Sequence, residues 1–321
     1  MTTTAEPTRV TRDDRAALPV PSRWHRPLLA LAAVMAVLAI ATLVGSLVDD
    51  RTVTGVNLWL KPHKFALSIG IYAVSLAWLI GLAGRGRAAK VLGIAGTVSV
   101  VGLIIEAVVI VGAAAAGVTS HFNVSTPFHA ALWSAMAVSI VVVWMMALLT
   151  SIFLFRVDLG DRARTTAIRA GAVLAVLGMG LAFLMTSPTA QQLADYQGIV
   201  GAHAVGVADG GAGLPLLGWS TVAGDLRIPH FVGMHALQLF PLLALGLEVA
   251  SRRVPVLRRP AVRHRLVVIA VVGFAATLVV LTWQALSGQS IVRPEGAILV
   301  AGLGVAAFTA IGVVVAVRRK D

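Results

Sequence analysis

LLALAAVMAVLAIATLVGSLV, residues Leu28–Val48, is a run of 21 residues without a charged side chain. An α-helix rises about 1.5 Å per residue, so this run is long enough to cross the roughly 30 Å hydrocarbon core of a bilayer. The whole chain has the matching composition, with 58% hydrophobic and 12% charged residues. A soluble domain carries about 25% charged residues. The stretch therefore predicts a transmembrane helix in an integral membrane protein.

Seven further apolar runs follow the first one, and each is about as long as a membrane span. Together the eight runs predict an all-α fold, an integral membrane bundle of eight transmembrane helices. The runs are Leu28–Val48, Phe65–Ala83, Val91–Gly117, His129–Leu154, Thr166–Met185, Pro229–Ala250, Leu266–Leu286 and Pro294–Val317.

The basic residues alternate between the two ends of these runs. Of the 26 lysines and arginines, 21 fall in the N-terminal arm, in the C-terminal tail and in the loops after the second, fourth and sixth runs. Cytoplasmic loops of membrane proteins carry this excess of Lys and Arg. The pattern predicts eight spans with both termini in the cytoplasm. It also accounts for the net charge of +12 without a nucleic-acid partner.

The chain is predicted to form one membrane domain over residues 27–317, with a disordered cytoplasmic arm at 1–26 and a cytoplasmic tail at 318–321. The longest segment outside the runs is residues 186–228, an extracytoplasmic loop rich in glycine. Because it also carries apolar side chains such as Trp219, we expect it to fold back over the outer mouth of the bundle. The alternative is a floppy surface loop. Cysteine is absent, which excludes disulfides and thiolate ligands.

Four of the predicted spans share a proline at the outer end, followed closely by an ionisable residue. Proline is tolerated at a helix start because the N–H that it lacks would be unpaired there. If these helices enter from one side, the ionisable groups lie at one depth and could converge. The recurrence suggests that the eight helices form two similar halves of four, a four-plus-four pseudo-repeat. The alternative is that proline recurs at these helix starts by chance. The four starts are Lys61-Pro62-His63, Pro127-Phe128-His129, Pro229-His230 and Pro294-Glu295.

Glu106 is the most costly polar residue in the runs. It lies among Ile104, Ile105, Val108 and Val109, deep in the third predicted span. A carboxyl at that depth must face the bundle interior, where it is neutral or paired. We expect it to serve as a proton relay or to support a cofactor. The alternative is a protonated carboxyl bonded to a neighbouring hydroxyl or backbone group.

Six of the eight histidines lie in the outer half of the predicted bundle. Histidines that project from separate helices are the usual ligands of a b-type haem or a transition metal ion. The hypothesis names His63, His129 and His235 as metal or haem ligands, with His230 and Gln238 also at the cofactor. The alternative is that each histidine is an ordinary interfacial residue near a helix end.

Other outer polar residues are candidates for handling a substrate. Asp225 and Arg227, with Glu106, form the predicted catalytic set, because they could orient a ligand or move a proton. A positive helix end next to Lys61 and Lys64 would attract an anion or a carboxylate. The predicted substrate-binding residues are Lys61, Lys64, His121, Asn123 and Glu295.

Three functions are compatible with these features. The first is membrane redox chemistry or cofactor handling at a haem or metal site, with the lipid bilayer as environment and a quinone or redox protein as partner. The second is a transporter or channel for a small anion or organic acid, which would use the same outer cations. The third is a structural or assembly subunit without chemistry. Substrate and oligomeric state stay open.

Three junctions resemble motifs of a bacterial family of polytopic membrane proteins for which no activity is established. They are Trp59-Leu60-Lys61-Pro62-His63-Lys64-Phe65, Ser120-His121-Phe122-Asn123 and Gly224-Asp225-Leu226-Arg227-Ile228-Pro229-His230-Phe231. This resemblance implies the cytoplasmic membrane of a bacterium. The plan also resembles the haem A synthase family, whose second, fourth, sixth and eighth spans carry histidines. That resemblance implies haem binding through the histidines of the first three of these spans, whereas Glu295 stands on the eighth.

Overall fold

A computed structural model describes residues 23–319 of the chain. Most of the predicted arm 1–26 and the last two residues of the predicted tail 318–321 lie outside the described part. The helices are α1 Arg26–Val48, α2 Leu60–Leu82, α3 Arg87–Ala115, α4 Pro127–Leu154, α5 Arg162–Gly180, α6 Ala190–Ala194, α7 Arg227–Met234, α8 Ala236–Ala250, α9 Pro260–Leu286 and α10 Gly296–Arg318. Short 3-10 turns cover Leu181–Met185 and Pro255–Arg258, and the strands are β1 Thr52–Val53, β2 Val56–Asn57, β3 Ala204–Val205 and β4 Gly224–Asp225.

Seven helical segments in the described part are long and apolar enough to cross a membrane. They comprise α1 to α4, the segment Arg162–Ala194 that begins with α5, and α9 and α10. The pair α7 and α8 gives an eighth span if it is taken as one helix bent by 41°. The bend falls at His235, between the two helices. A helical bundle compatible with a membrane is thus confirmed, whereas eight spans with both termini in the cytoplasm stay a prediction.

Proline and capping residues set the starts of several helices. At α4 the hydroxyl of Thr126 accepts the backbone N–H of His129 at 3.2 Å, which satisfies one free donor of the first turn. At the fourth predicted start, Glu295 only precedes the helix, because α10 begins at Gly296. At the other three starts the proline lies in the first helical turn, and these prolines are Pro62, Pro127 and Pro229.

The helices pack mainly against their neighbours in sequence. Helix α1 lies against α2, and α3 lies against α4, while α5 contacts α7, α8 and α9. Helix α10 packs along α9 at the side of the bundle. A close helix crossing lies at Gly178 of α5, where an added Cβ would lie 2.3 Å from the carbonyl carbon of Gly233 in α7. Glycine at this crossing therefore allows the backbones of α5 and α7 to pack in direct contact.

We call the region formed by residues 49–59, 116–126, 186–226 and 287–295 the loop end of the bundle. These segments contact one another rather than extending separately. Strand β3 pairs antiparallel with β4, with Ala204 opposite Asp225, and Asn123 forms a β-bridge with Ile199. The guanidinium of Arg51 donates to the carbonyl of Ala115 at 3.2 Å. The long loop is therefore fastened across the ends of the helices, where it covers a cavity.

Candidate functional site

A cavity of about 1430 Å³ lies under the loop end. Side chains of α2, α3, α4 and α7 form its walls, and the loop of residues 186–226 contributes to its cover. Most of its lining side chains are apolar, among them Leu103, Val143 and Leu239. Its ionisable lining residues are Lys61, Lys64, Glu106, His121, Asp195, His203, Asp209, Arg227, His230 and His235. We call this the loop-end cavity. It brings together seven of the predicted site residues, namely Lys61, Lys64, Glu106, His121, Arg227, His230 and His235.

Two lysines reach the cavity from the first turn of α2. The ammonium of Lys64 donates to the carbonyl of Leu217 at 3.1 Å, which ties α2 to the long loop. Lys61 is half-buried, and it has no hydrogen bond or ion pair with any residue of 23–319. Because Lys61 is one residue into the helix, its charge also adds to the positive end of the helix dipole. The two lysines thus give one end of the cavity an excess of positive charge.

Arg227 lines the cavity and is fixed by Asp225. The Asp225 carboxylate accepts from Nε of Arg227 at 2.9 Å, from Nη2 at 2.6 Å and from the backbone N–H of Ser220 at 2.8 Å. The Asp225 side chain is fully buried, and Nη2 of Arg227 also donates to the carbonyl of Gly218. This ion pair joins the long loop to the start of α7. Asp225 itself lies behind Arg227 and does not line the cavity.

A second carboxylate, Asp209, is paired with a histidine of the same loop. Its Oδ2 lies 2.6 Å from Nδ1 of His203, and its oxygens also accept the backbone N–H groups of His203 and Ala204. Burial raises the pKa of Asp209, but these hydrogen bonds outweigh burial and lower the pKa to about 2. The Asp209 carboxylate therefore stays ionised at neutral pH and orients the imidazole ring.

The neighbouring imidazole of His121 lies among aromatic rings at the same end. Its ring centroid is 5.5 Å from those of Phe65 and Trp133. Burial holds the pKa of His121 well below its usual value, and nearby Lys61 and His203 lower it further. Burial also lowers the pKa of His203, although Asp209 opposes the shift. Both rings are therefore neutral at pH 7, and both lie within electrostatic range of Lys61.

His230 and His235 line the cavity near the bend between α7 and α8. Nδ1 of His230 lies 2.9 Å from the carbonyl oxygen of Gly178, so this nitrogen must carry the proton. Nδ1 of His235 lies 3.1 Å from Oε1 of Gln238, whose Nε2 donates to Ser75 of α2. In neither ring does Nε2 have a hydrogen-bond partner among residues 23–319. Gln238 therefore positions His235 from behind and does not itself line the cavity.

Glu106 lies in the wall of the cavity, as its position in the third predicted span suggested. Glu106 is 4% exposed, and its Oε1 accepts a hydrogen bond from the hydroxyl of Ser139 in α4 at 3.1 Å. The Glu106 carboxyl thus faces the interior of the bundle and is bonded to a serine hydroxyl. A role as proton relay stays a prediction.

Six predicted site residues lie outside the cavity lining: Asp225 and Gln238, described above, and four more. The ring of His63 turns toward α1, where Nδ1 lies 2.9 Å from the carbonyl of Ala39. His129 has its Nδ1 3.0 Å from the hydroxyl of Thr126. Asn123 fixes its own turn, since Oδ1 accepts from the backbone N–H and the hydroxyl of Ser125. Glu295, the fourth, is exposed at the α9–α10 connection.

The predicted metal ligands are therefore not assembled in this structure. Within residues 23–319, no group of three or more histidine, aspartate or glutamate side chains is arranged to hold a metal ion. His63 and His129 face other helices or their own caps, while His235 lines the cavity. The geometry thus gives no support to the trio His63, His129 and His235 as a common site.

His203 and Asp209 were missed as site residues. They lie within a glycine-rich loop, where neither helical nor strand periodicity indicates which side chains face one another. The only signal was their spacing of six residues, a length that a turn can close. The contact lies next to the pairing of β3 with β4, in which Ala204 is opposite Asp225, and no local pattern in the sequence indicates that pairing.

Comparisons with protein-family models, curated proteins and solved structures found no match for the chain. Its class therefore rests on the helices and the cavity alone. The described residues form a helical bundle compatible with a multi-pass membrane protein, with a large cavity that is mostly apolar and carries several ionisable groups.

Proposed function

We propose that the chain binds an amphipathic anion in the loop-end cavity. The anionic head lies at Lys61 and Lys64, and the hydrocarbon part lies along the apolar walls toward Leu103 and Leu239. The observation that carries this proposal is Lys61, a half-buried ammonium in the cavity wall without a hydrogen bond or ion pair among the described residues.

The energetic argument begins with that ammonium group. Burying a charge without a partner is costly, whereas a hydrogen bond between charged groups is worth about 1.5–3 kcal/mol. The other cations of the site already have partners, since Arg227 is paired with Asp225 and Lys64 donates to Leu217. A ligand anion would supply Lys61 with the partner that the chain does not provide.

The apolar walls indicate which kind of anion fits. Pockets for small molecules usually enclose about 300–1,000 Å³. The loop-end cavity is larger, about 1430 Å³, and most of its lining is apolar. A small organic acid would leave that surface uncovered. A fatty acid or an acyl lipid with a single carboxylate or phosphate head covers it, so the anion predicted from the sequence becomes an amphipathic one.

Tryptophan fluorescence offers a direct binding test, because Trp133 and Trp219 line the cavity. Dibromostearate, whose bromines quench nearby indoles, is titrated into the purified protein in detergent. We expect saturable quenching, with Lys61→Gln weakening binding about 10- to 100-fold through the lost charge-assisted hydrogen bond. Lys90→Gln serves as the matched control, because Lys90 is exposed and does not line the cavity.

Two outcomes would contradict the proposal. One is binding of equal strength by wild type and by the double variant Lys61→Gln, Lys64→Gln. The other is equal binding of the methyl ester of the same fatty acid, which has no charge to meet the lysines. Brominated phosphatidic acid in a parallel titration separates a phosphate head from a carboxylate head.

Haem b is a second candidate ligand, since it is itself an amphipathic anion with two propionates. It is favoured by His230 and His235, whose Nδ1 atoms are held by oxygen atoms while their Nε2 atoms stay available. In this arrangement His63 and His129 take no part, and an opposing ligand would come from His121 or His203. A Soret band in the purified protein that His230→Ala or His235→Ala removes would support haem, and its absence after growth with added haem would exclude it.

A further inference from the structure

The pair of His203 and Asp209 lines the cavity but takes no part in holding the anion. The carboxylate of Asp209 holds Nδ1 of His203 at 2.6 Å, and the ring packs on Phe122 with 4.9 Å between centroids. Nε2 has no hydrogen-bond partner among residues 23–319, and the side chain is 22% exposed. The imidazole is thus fixed in one tautomer with a free lone pair.

A histidine oriented by a carboxylate is the arrangement that general-base catalysis uses. The carboxylate keeps the proton on Nδ1, so Nε2 can accept a proton from a water molecule. Lys61 lies near enough to His203 to interact with it electrostatically, and so does Arg227. Since His203 and Lys61 both line the loop-end cavity, one ligand there can meet a base and a cation.

We propose that the loop-end cavity hydrolyses an ester bond of an anionic acyl lipid, with His203 as the general base and Lys61 as the oxyanion-stabilising cation. This rests on the proposed function, since the same lysines hold the anionic lipid. The phosphate or carboxylate head lies at Lys61 and Lys64 with the neighbouring ester carbonyl also at Lys61, and the acyl chain lies along the apolar walls.

The step is balanced with water as the only co-reactant. The oxygen of water attacks the ester carbonyl carbon, and the proton of that water passes to Nε2 of His203. The negative charge that forms on the carbonyl oxygen is stabilised by the ammonium of Lys61. The bond to the alcohol oxygen then breaks, and the alcohol takes the proton from His203. Ester and water thus become carboxylic acid and alcohol, and the imidazole is neutral again.

The test uses the full chain in detergent with oleoyl lysophosphatidic acid as probe, and mass spectrometry measures the released oleate. We expect turnover by the wild type and a loss of about 100- to 10,000-fold in His203→Gln. The same variant must bind dibromostearate as the wild type does, which shows that the loop is still folded. His129→Gln is the control, because His129 does not line the cavity.

Asp209 acts through His203 and is a positioning residue, so its test needs a readout beyond rate. The hydrogen bond that His203 donates to Asp209 raises the pKa of His203 against the effect of burial. Asp209→Asn therefore moves the acidic limb of the pH–rate profile to lower pH, whereas Asp209→Glu restores part of the wild-type profile. An unchanged limb in Asp209→Asn contradicts this role.

The two proposals fail separately. Saturable quenching by dibromostearate without release of oleate overturns the hydrolysis and leaves ligand binding in place. Release of oleate that His203→Gln leaves unchanged overturns the role of His203 as base. Absence of both quenching and turnover overturns the proposed function together with this inference.

Discussion

Replacing Asp225 by Asn is expected to destabilise the loop end strongly, although the two side chains have almost the same size. The carboxylate accepts hydrogen bonds from four donors, namely the N–H of Ser220 and the N–H, Nε and Nη2 of Arg227. An asparagine amide has one acceptor oxygen and one donor group. In either orientation of the amide, two of the four donors then face its NH2 group, and Arg227 loses its counter-charge.

The magnitude follows from the burial of the pair. Removing one partner of a buried ion pair costs about 3–5 kcal/mol. The Asp225 side chain is fully buried, but that of Arg227 is 23% exposed, so water screens part of the remaining charge. We therefore expect the lower end of the range, about 3 kcal/mol.

Equilibrium unfolding measures this difference. The protein in dodecyl maltoside micelles is titrated with sodium dodecyl sulfate, and the loss of helical circular dichroism gives the free energy of unfolding. Asp158→Asn is the matched control, because Asp158 is exposed and, within residues 23–319, its carboxylate accepts one hydrogen bond, from the backbone N–H of Gly160 at 3.1 Å. The double variant with Arg227→Gln should recover part of the loss, since it removes the unpaired charge.

One result would refute this reasoning. If Asp225→Asn unfolds at the same detergent ratio as Asp158→Asn, the pair does not hold the long loop to α7. The cover of the cavity would then depend on β-pairing and apolar contacts instead.

The remaining predictions concern pH, helix packing and topology. Burial in the folded protein lowers the pKa of His121, so the unfolded chain binds more protons below about pH 6.5. The stability of the wild type should therefore fall from pH 7 to pH 5. Thermal unfolding should show a smaller fall for His121→Gln. Gly178→Ala should cost about 1–3 kcal/mol in the same detergent titration, because its Cβ meets the backbone of α7, whereas Gly112→Ala, with open space, should be neutral or stabilising. The chain has no cysteine, so single cysteines can report the topology. Gly211→Cys should react with an impermeant maleimide on intact cells, whereas Arg87→Cys should react only after lysis. Reaction of both cysteines from one side would contradict the predicted topology.

The membrane helices could be predicted from the sequence because apolar length alone decides them. The first five runs and the last two correspond to single helical segments. The sixth run, Pro229–Ala250, differs, since the structure begins α7 at Arg227 and bends the span at His235. Pairing of Gly224 with Val205 sets that start, and a contact between distant segments leaves no local pattern.

The candidate site was predicted only in part, for a related reason. A helix that is apolar on every side gives no signal of which face meets the bundle interior. The depth of His63 was therefore predictable, but its direction toward α1 and the carbonyl of Ala39 was not. Glu106 could be placed inside because a carboxyl has no stable alternative at that depth. Lys61 and Lys64 were found because they begin a helix.

The contrast between Glu106 and Lys61 is what separates a functional cavity from a packing defect. Glu106 has a hydroxyl partner in Ser139, so the bundle is satisfied there without any ligand. Lys61 has no such partner within the described chain, although methionine or leucine at the same place would pack against the apolar wall at no electrostatic cost. The Lys61 ammonium therefore makes a favourable contribution to the free energy only when an anion is bound. The binding free energy of that anion therefore includes the partner that Lys61 lacks, which is why this residue should affect affinity more than stability.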